Sequence, residues 1–230
     1  LFPPMSKALM ETRSGLTRRK LDEAITRMEE AGHQFTKNNA NHYSITLDEA
    51  HQIMESAKMP AFYQGKGANH KPWVINIQNQ KGGTGKSMSA VHLAACLALN
   101  LEKRYRICLI DLDPQGSLRL FLNPQISVTE QEGIYSAVDV MLENTPQEAD
   151  KEFMMKNVLL STQYPNLKTI AAFPEDAMFN AEAWQNLATN GSLDIVRLLQ
   201  EKVIDKIADE FDVIMVDTGP HIDPLVWNAM

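Results

Sequence analysis

The stretch that most constrains this chain runs from Gln80 to Ser87 and reads Gln-Lys-Gly-Gly-Thr-Gly-Lys-Ser. It lies between an apolar run at 73–77 and an apolar segment at 88–101, which predicts a strand, a loop and a helix in that order. Glycines let the backbone curl until consecutive N–H groups converge on an anion, and the following helix adds the positive end of its dipole. The sequence therefore predicts a phosphate-binding loop.

Lys86 and Ser87 give this loop its chemistry. In phosphate-binding loops, a lysine at this position reaches the terminal phosphates and the adjacent hydroxyl binds magnesium. The usual pattern has a glycine five residues before Gly85, where this chain has Gln80. The loop is therefore a variant, and Lys81 follows the replaced glycine directly.

Two further apolar runs end in aspartate. Residues 106–110 lead into Asp111 and Asp113, and residues 213–216 lead into Asp217. Continuous apolar runs indicate strands that are buried on both faces, as in a parallel sheet covered by helices. Since ligands of open α/β sheets bind at the carboxyl ends of the strands, we expect these aspartates to lie beside the loop.

The remainder of residues 73–230 favours the same architecture. A weaker strand is predicted at 167–173, and an amphipathic crossover helix at 193–211 leads into the strand that ends in Asp217. Helices are also predicted at 134–142 and 152–160. The predicted fold class is α/β, a P-loop NTPase with a parallel sheet flanked by helices.

A separate small module is predicted before this domain. Apolar residues at helical spacing indicate helices at 16–31 and 47–58, after a weaker helical piece at 6–12. Two short β-like pieces, 33–36 and 42–46, flank a turn-forming stretch and predict a hairpin. This order of elements is typical of a winged helix-turn-helix. The predicted domains are 1–60 for this module, 61–72 for a linker and 73–230 for the nucleotide domain.

Charge placement in the module indicates contact with DNA. The chain has a net charge of −7, so the protein as a whole does not attract nucleic acid through an overall positive charge. Residues 1–40, however, carry seven Lys and Arg against five Asp and Glu. Arg18, Arg19 and Lys20 open the 16–31 helix, where cations oppose the helix dipole and a DNA partner would explain them. Lys37 on the hairpin is expected to reach the DNA backbone. The alternative is a solvated basic helix end in a protein-interaction module.

Composition narrows the remaining classes of protein. No apolar run approaches the roughly 20 residues of a membrane helix, and no signal-peptide pattern opens the chain, so we expect a soluble intracellular protein. Cys96 and Cys108 lie in apolar sequence, and both are expected to be buried as small hydrophobes. The chain stops 13 residues after Asp217, which we interpret as a nucleotide domain that is incomplete at its C-terminus.

These motifs resemble a known family. Residues 81–87 resemble the deviant Walker A motif of the ParA/MinD ATPases, whose mark is the extra lysine at position 81. Together with residues 111–116 and 216–220, in the same order and spacing, they resemble the ParA partition ATPases. The N-terminal module is similar to that of the large plasmid-P1-type ParA proteins, which repress their own operon.

The resemblance implies a site for ATP or ADP with Mg²⁺. The phosphates would be held by Lys81, Gly82, Gly83, Thr84, Gly85, Lys86 and Ser87, and the metal by Ser87, Asp111 and Asp217. Asp113 would position or activate the attacking water, while Lys81 would reach the phosphates of a second subunit across an ATP-bound homodimer. The alternatives are a structural role for Asp111, turn capping for Asp113 and a solvent-facing lysine at position 81.

The resemblance also implies a function, which is ATP-driven partition of a plasmid or chromosome. The family's ATP-bound dimer binds non-specific DNA and is stimulated by a centromere-binding ParB-type partner, while the N-terminal module binds operator DNA. The implied location is the cytoplasm, on the nucleoid and without a membrane partner. Two alternatives are a nucleotide-sensing repressor with no transport role and a MinD-like positioning ATPase, and the N-terminal module disfavours the second.

Overall fold

The N-terminal unit is a small helical module. The computed structural model describes residues 3–65, 71–126, 133–190 and 194–230 of the chain. The helices of this unit are α1 (Lys7–Ser14), α2 (Arg18–Glu30) and α3 (Leu47–Ser56), and their caps are Ser6, Thr17 and Thr46. Each cap side chain accepts a backbone N–H of the first turn, which satisfies a donor that has no partner within the helix. The three predicted helices are confirmed, with slightly different ends.

The predicted hairpin pairs less extensively than expected. Lys37 and Tyr43 form an isolated antiparallel bridge. The turn between them closes on Asn38, whose Oδ1 accepts the N–H groups of Ala40 and His42, each at 3.0 Å. Because a two-stranded ribbon is marginally stable by itself, this short pairing depends on packing against the helices.

The second unit is built on a five-stranded sheet in the order β1-β5-β2-β4-β3. The strands are β1 (Trp73–Ile77), β2 (Ile107–Asp111), β3 (Leu160–Ser161), β4 (Leu167–Ile170) and β5 (Val213–Asp217). Neighbouring strands are parallel except for β3, which runs antiparallel to β4. The predicted α/β class is confirmed. β3 is an addition, because it begins where the pattern predicts the end of a helix.

Helices cover both faces of the sheet. They are α4 (Lys86–Ala98), α5 (Ser117–Leu122), α6 (Ala137–Met141), α7 (Lys151–Phe153), α8 (Met178–Asn190), α9 (Asp205–Ile207) and α10 (Pro224–Trp227). Ile107 and Leu109 of β2 pack with α4 and α5, whereas Cys108 and Ile110 pack with α6 on the opposite face. This burial on both faces explains why β2 reads as an unbroken apolar run.

Two helical segments differ from the prediction. The crossover predicted as one helix consists of short pieces of changing pitch, with 3₁₀ turns at Asp194–Arg197 and Ala208–Glu210 and a π-helical stretch at Leu199–Ile204. Helix α8 is not predicted, because its apolar residues lie on more than one side, with Phe179 buried and Trp184 exposed. Within the described part of the chain, no helix has the length and apolar character needed to cross a bilayer.

One cysteine lies in a different environment from the one predicted. Cys108 is buried in the sheet, but Cys96 on α4 is exposed. Helix α4 is apolar around most of its circumference, and it turns Ala90, Ala94 and Ala98 toward the sheet. The expectation for Cys96 is therefore wrong, because an apolar sequence on a helix does not identify which side faces the core.

The first residues after the module fold against the second unit. Phe62, in a 3₁₀ turn at Phe62–Gly65, packs on Trp73 and Tyr105, with ring centroids 5.3 and 4.8 Å away. The Arg106 guanidinium lies over the Tyr63 ring, 4.6 Å from its centroid. Residues 62 and 63 of the predicted linker are therefore anchored to the sheet.

His51 on α3 lies where the two units meet, and it predicts a pH dependence of stability. Its Nε2 is buried and has no hydrogen-bond partner among the described residues. Burial, and to a lesser extent the charge of Arg104, lowers the pKa of His51 from 6.5 to about 4. The unfolded chain therefore binds a proton at a higher pH than the folded chain, and the folded state loses stability as pH falls from 6.5 toward 4.

We predict that His51→Gln removes this part of the pH dependence. Between pH 7.5 and 4.5, the wild type should lose about 1–3 kcal/mol more in unfolding free energy than the variant does. Urea denaturation of both proteins at the two pH values measures this difference. Comparing the variant with the wild type cancels the contributions of the other titrating groups. His42→Gln, at an exposed histidine, is the matched control. Equal pH dependence in His51→Gln and wild type would contradict the prediction.

Candidate functional site

The predicted phosphate loop forms an open turn at the carboxyl end of β1. Gly83 and Gly85 have φ values of +69° and +82°, in the left-handed region that glycine adopts without strain. Asn79 Oδ1 accepts the N–H of Lys81 at 2.9 Å, and the Thr84 hydroxyl donates to the Lys81 carbonyl at 3.2 Å. These two bonds hold the turn in shape while residues 81–85 stay exposed to solvent.

Helix α4 starts directly after this loop and is open at its N-terminus. Gly85 occupies the N-cap position, and no side chain caps the helix there. The first-turn N–H groups are therefore available to an external acceptor, and the helix dipole favours an anion at this place. Lys86 and Ser87 are the first two residues of α4, so the loop, the helix end and both predicted side chains lie together.

The strand register brings the predicted aspartates to the same edge. In the parallel sheet, Asp217 of β5 pairs with Asp111 of β2 on one side and with Ile77 of β1 on the other. The phosphate loop follows Ile77 within three residues of sequence. The expectation that strand-end carboxylates lie beside the loop therefore agrees with the register.

Asp111 is occupied by backbone hydrogen bonds. Its Oδ1 accepts the N–H of Asp113 at 3.0 Å, and its Oδ2 accepts the N–H of Leu118 at 3.2 Å. The side chain is buried, and burial raises the pKa of Asp111 well above its usual range, while these N–H groups act in the opposite direction. The observed contribution of Asp111 is to hold the 111–118 segment against the end of β2.

Asp217 is the opposite case. It is fully buried, and neither carboxylate oxygen has a hydrogen-bond partner among the described residues. Burial raises the pKa of Asp217 to about 6, and the negative charge of Asp113 adds to the rise. Ser87 and the positive charge of Lys86 lie near enough to offset part of this rise in the pKa. The Ser87 hydroxyl nevertheless does not form a hydrogen bond to the carboxylate.

An unpaired buried carboxylate beside a serine hydroxyl fits a hard divalent cation. Mg²⁺ takes oxygen ligands, keeps several of its waters and is commonly bound through one or two protein side chains plus phosphate oxygens. No group of three or more His, Cys, Asp or Glu capable of holding a metal occurs in the described ranges. The residues present fit a metal that arrives with a phosphate ligand.

Asp113 stabilises a turn and also faces the loop after β5. Its Oδ1 accepts the N–H of Gln115 at 3.0 Å, which caps the turn after β2. Its carboxylate also faces Gly219, since a Cβ built at Gly219 would lie 3.8 Å from Asp113 Oδ1. Turn capping is therefore observed, and both carboxylate oxygens lie close to the loop after β5.

Three residues that support this arrangement are not among the predicted site residues. Asn79 closes the phosphate loop, and an Asn just before a glycine-rich turn was the available sequence signal. The Thr218 hydroxyl donates to the Ile77 carbonyl at 3.3 Å and ties the ends of β5 and β1 together. Gly116, at φ +62°, approaches β4 so closely that a Cβ there would lie 2.8 Å from the Ala172 carbonyl oxygen.

The residues predicted to contact DNA lie on the N-terminal module. Gly15, at φ +67°, makes the turn between α1 and α2, and Arg18, Arg19 and Lys20 form the exposed first turn of α2. Arg19 makes a solvent-exposed ion pair with Glu23 at 3.6 Å. Lys37 lies apart on the hairpin, with its Nζ 4.8 Å from the centroid of the Tyr43 ring.

Known proteins match both units of the chain. Residues 73–230 match an AAA domain, and residues 1–66 match the ParA helix turn helix domain. Plasmid partition protein A from Escherichia coli is 32% identical over 235 residues, which cover 98% of this chain and 56% of that protein.

Solved structures share the fold. A partition protein superposes with a TM-score of 0.76 at 28% identity and covers all of this chain and 62% of its own. A cobyrinic acid a,c-diamide synthase from Mycobacterium smegmatis, solved with ADP and magnesium, has a TM-score of 0.52 at 25% identity over 69% of this chain and 55% of its own. This chain therefore spans little more than half the length of the proteins that it matches.

The unpaired carboxylate of Asp217 predicts a gain in stability on its removal. Because the folded-state pKa is raised from 3.8 to about 6, the ionised form destabilises the folded state above pH 6, and this cost disappears as pH falls below 3.8. We expect Asp217→Asn to raise the unfolding free energy of the ligand-free chain by about 1–3 kcal/mol at pH 8 and by less at pH 5.

Urea denaturation without nucleotide or divalent metal measures this effect. The matched control is Asp212→Asn, because Asp212 is equally buried but its carboxylate accepts from the Arg106 backbone and guanidinium. That control should lose stability. A loss of stability in Asp217→Asn at pH 8 would show that this carboxylate is well compensated in the folded chain.

Proposed function

The chain belongs to the ParA-type family of partition ATPases, and from this we propose that it binds ATP with Mg²⁺ and hydrolyses it to drive DNA partition. The single observation that carries the proposal is the Asp217 carboxylate, which has no hydrogen-bond partner in the described part of the chain. It lies at the carboxyl end of β5, near Lys86 and Ser87 at the open N-terminus of α4. An anion on the helix end and a cation on the carboxylate would together satisfy every one of these groups.

Each predicted residue has a defined task in this proposal. The glycine loop and the first-turn N–H groups of α4 bind phosphate oxygens, and the Lys86 ammonium offsets their charge. Ser87 and Asp217 are the residues that would hold Mg²⁺, which, when bound, supplies charge neutralisation for phosphoryl transfer. Asp111 holds the 111–118 segment in place through its two backbone hydrogen bonds and, as an outer ligand, would orient water near the metal.

Asp113 and Lys81 are assigned to the hydrolytic step. The Asp113 carboxylate lies beside the loop after β5, where it can orient or deprotonate a water. The Lys81 side chain is exposed and makes no hydrogen bond among the described residues, so it is free to reach the phosphates of a second copy. Hydrolysis would then depend on a nucleotide-bound homodimer.

The N-terminal module is assigned to operator DNA. The exposed first turn of α2 would enter the major groove with Arg18, Arg19 and Lys20, and Lys37 would contact a phosphate from the hairpin. The segregation cycle itself includes binding of the dimer to non-specific DNA and stimulation by a ParB-type partner. The proposed location is the cytoplasm, on the nucleoid.

A nucleotide-sensing repressor is the second candidate function. It is favoured by the direct packing of the DNA module on the nucleotide unit, for example through Leu101, which belongs to the module's core cluster. One assay distinguishes the two functions, namely ATP turnover measured with and without a ParB-type partner and DNA. A protein that acts only as a repressor shows no stimulation of turnover by these additions.

We predict that Asp113→Ala separates binding from hydrolysis. ATP affinity should stay within about 3-fold of wild type, because Asp113 touches no loop N–H, while turnover should fall by about 100-fold or more since the water is no longer positioned. Isothermal titration with ATP and a phosphate-release assay measure the two quantities. Lys86→Ala is the complementary variant, and it should weaken ATP binding itself. Turnover retained in Asp113→Ala would remove this residue from the mechanism.

We predict that replacing Arg18, Arg19 and Lys20 together by Ala abolishes operator binding and leaves ATP binding intact. A salt series should also show a shallower dependence of DNA affinity on salt, because fewer phosphates are neutralised. The matched control removes three exposed positive charges elsewhere, at Lys71, Lys156 and Arg197. Unchanged operator footprints in the α2 variant would refute the assignment.

A further inference from the structure

The loop between α4 and β2, residues 99–104, makes close contact with the N-terminal module. Leu101 is 1% exposed and belongs to the module's core, together with Leu21, Ile25 and Ile53 of α2 and α3. A core residue of the DNA module is thus supplied by the nucleotide unit. Since interiors are close-packed, α2 and α3 cannot shift relative to this loop without a change in the packing of Leu101.

Arg104 makes the polar part of the same contact. Its guanidinium is buried and donates to the backbone carbonyls of His51, at 3.4 Å, and Met59. His51 lies within α3 and Met59 just beyond its C-terminus, where a cation is favourable to the helix dipole.

One further contact of the loop reaches the module, and another reaches the residues just after it. A Cβ built at Gly15 would lie 3.1 Å from Glu102 Oε1, so Glu102 packs against the turn between α1 and α2. The Lys103 carbonyl accepts the N–H of Phe62 at 2.7 Å. The loop thus touches the turn before α2, the core beneath α2 and the end of α3.

Arg104 has an unfavourable backbone conformation and, within the described ranges, a buried donor without a hydrogen-bond partner. Its backbone has a φ of +49°, in the left-handed region that side chains other than glycine and asparagine rarely adopt. Its Nε is buried without a hydrogen-bond partner among the described residues. Strain of this kind persists only where the surrounding structure imposes it, and it is concentrated at functional and switch regions.

We propose that the α4–β2 loop transmits nucleotide occupancy to the DNA-binding module, with Arg104 and Leu101 as the positioning residues. The inference rests on the proposed function, since it takes the phosphate loop as the nucleotide site. Helix α4 begins at Lys86 in that loop and runs for 13 residues to Ala98, immediately before the 99–104 segment. A helix of this length is a rigid element of about 20 Å, so a shift of its phosphate end moves the loop that holds α2 and α3.

Amide hydrogen exchange of the whole chain, with and without saturating ADP and Mg²⁺, tests this relay without knowledge of the operator. In the wild type, ADP should slow exchange in α2 and α3 by at least about 5-fold, the lower range of measured site-to-site coupling. In Arg104→Gly, which relaxes the positive φ and deletes the guanidinium, the ADP effect on α2 and α3 should fall below about 2-fold. ADP affinity, measured by titration calorimetry, should remain close to that of the wild type.

The controls keep the outcomes distinct. Glu143→Gly relaxes another left-handed residue, at φ +58°, on an exposed site, and it should retain the wild-type response. Leu101→Ala is the second test variant, expected to lose the response as Arg104→Gly does. The inference is overturned if ADP binds the wild type and leaves α2 and α3 exchange unchanged, or if both test variants keep the full response. If the wild type binds no nucleotide, it is the proposed function that fails.

Discussion

The parallel pairing of β5 between β1 and β2 is the constraint on which the rest of the structure depends. This register sets Ile77, Asp217 and Asp111 side by side at one edge of the sheet. It therefore decides that the phosphate loop after β1 and the carboxylates of β5 and β2 share one small volume. The Thr218 hydroxyl and the Leu112 N–H, which donate to the Ile77 and Asp217 carbonyls, extend the pairing beyond the strands. At the other end, Asp212 accepts from the Arg106 backbone and guanidinium.

The two ends of β5 show how stability and chemistry are divided in this sheet. Asp212 and Asp217 are both fully buried. At the amino end, Asp212 has a charged partner, and the pair anchors the strand. At the carboxyl end, Asp217 has no hydrogen-bond partner among the described residues, and its pKa is raised mainly by burial. A buried charge without a partner is expensive, and the proposed function therefore assigns a bound cation to Asp217 at the carboxyl end of β5.

The DNA module is not an independent appendage in this chain. Leu101 belongs to the core of the module, and the Arg104 guanidinium donates to the Met59 carbonyl just after α3. After the module, Phe62 packs on Trp73 at the amino end of β1. The proposed control of operator binding by nucleotide requires such a contact between the two units. The packing provides a physical route for that coupling, because the helix that starts at the phosphate loop ends at the module.

The sequence by itself determined the elements whose signals are local. The glycines before Lys86, the apolar runs ending in Asp111 and Asp217, and the helical spacing of apolar residues in α2 and α3 each report a backbone requirement that neighbours in sequence satisfy. Only the tertiary structure decided which side of α4 faces the sheet, which left Cys96 exposed, and how the crossover before β5 breaks into short helical pieces. It also decided that Asp111 is satisfied by backbone N–H groups while Asp217 is left unpaired, and that Leu101 belongs to the core of another unit. These outcomes depend on contacts between residues far apart in the chain, which periodicity and composition do not encode.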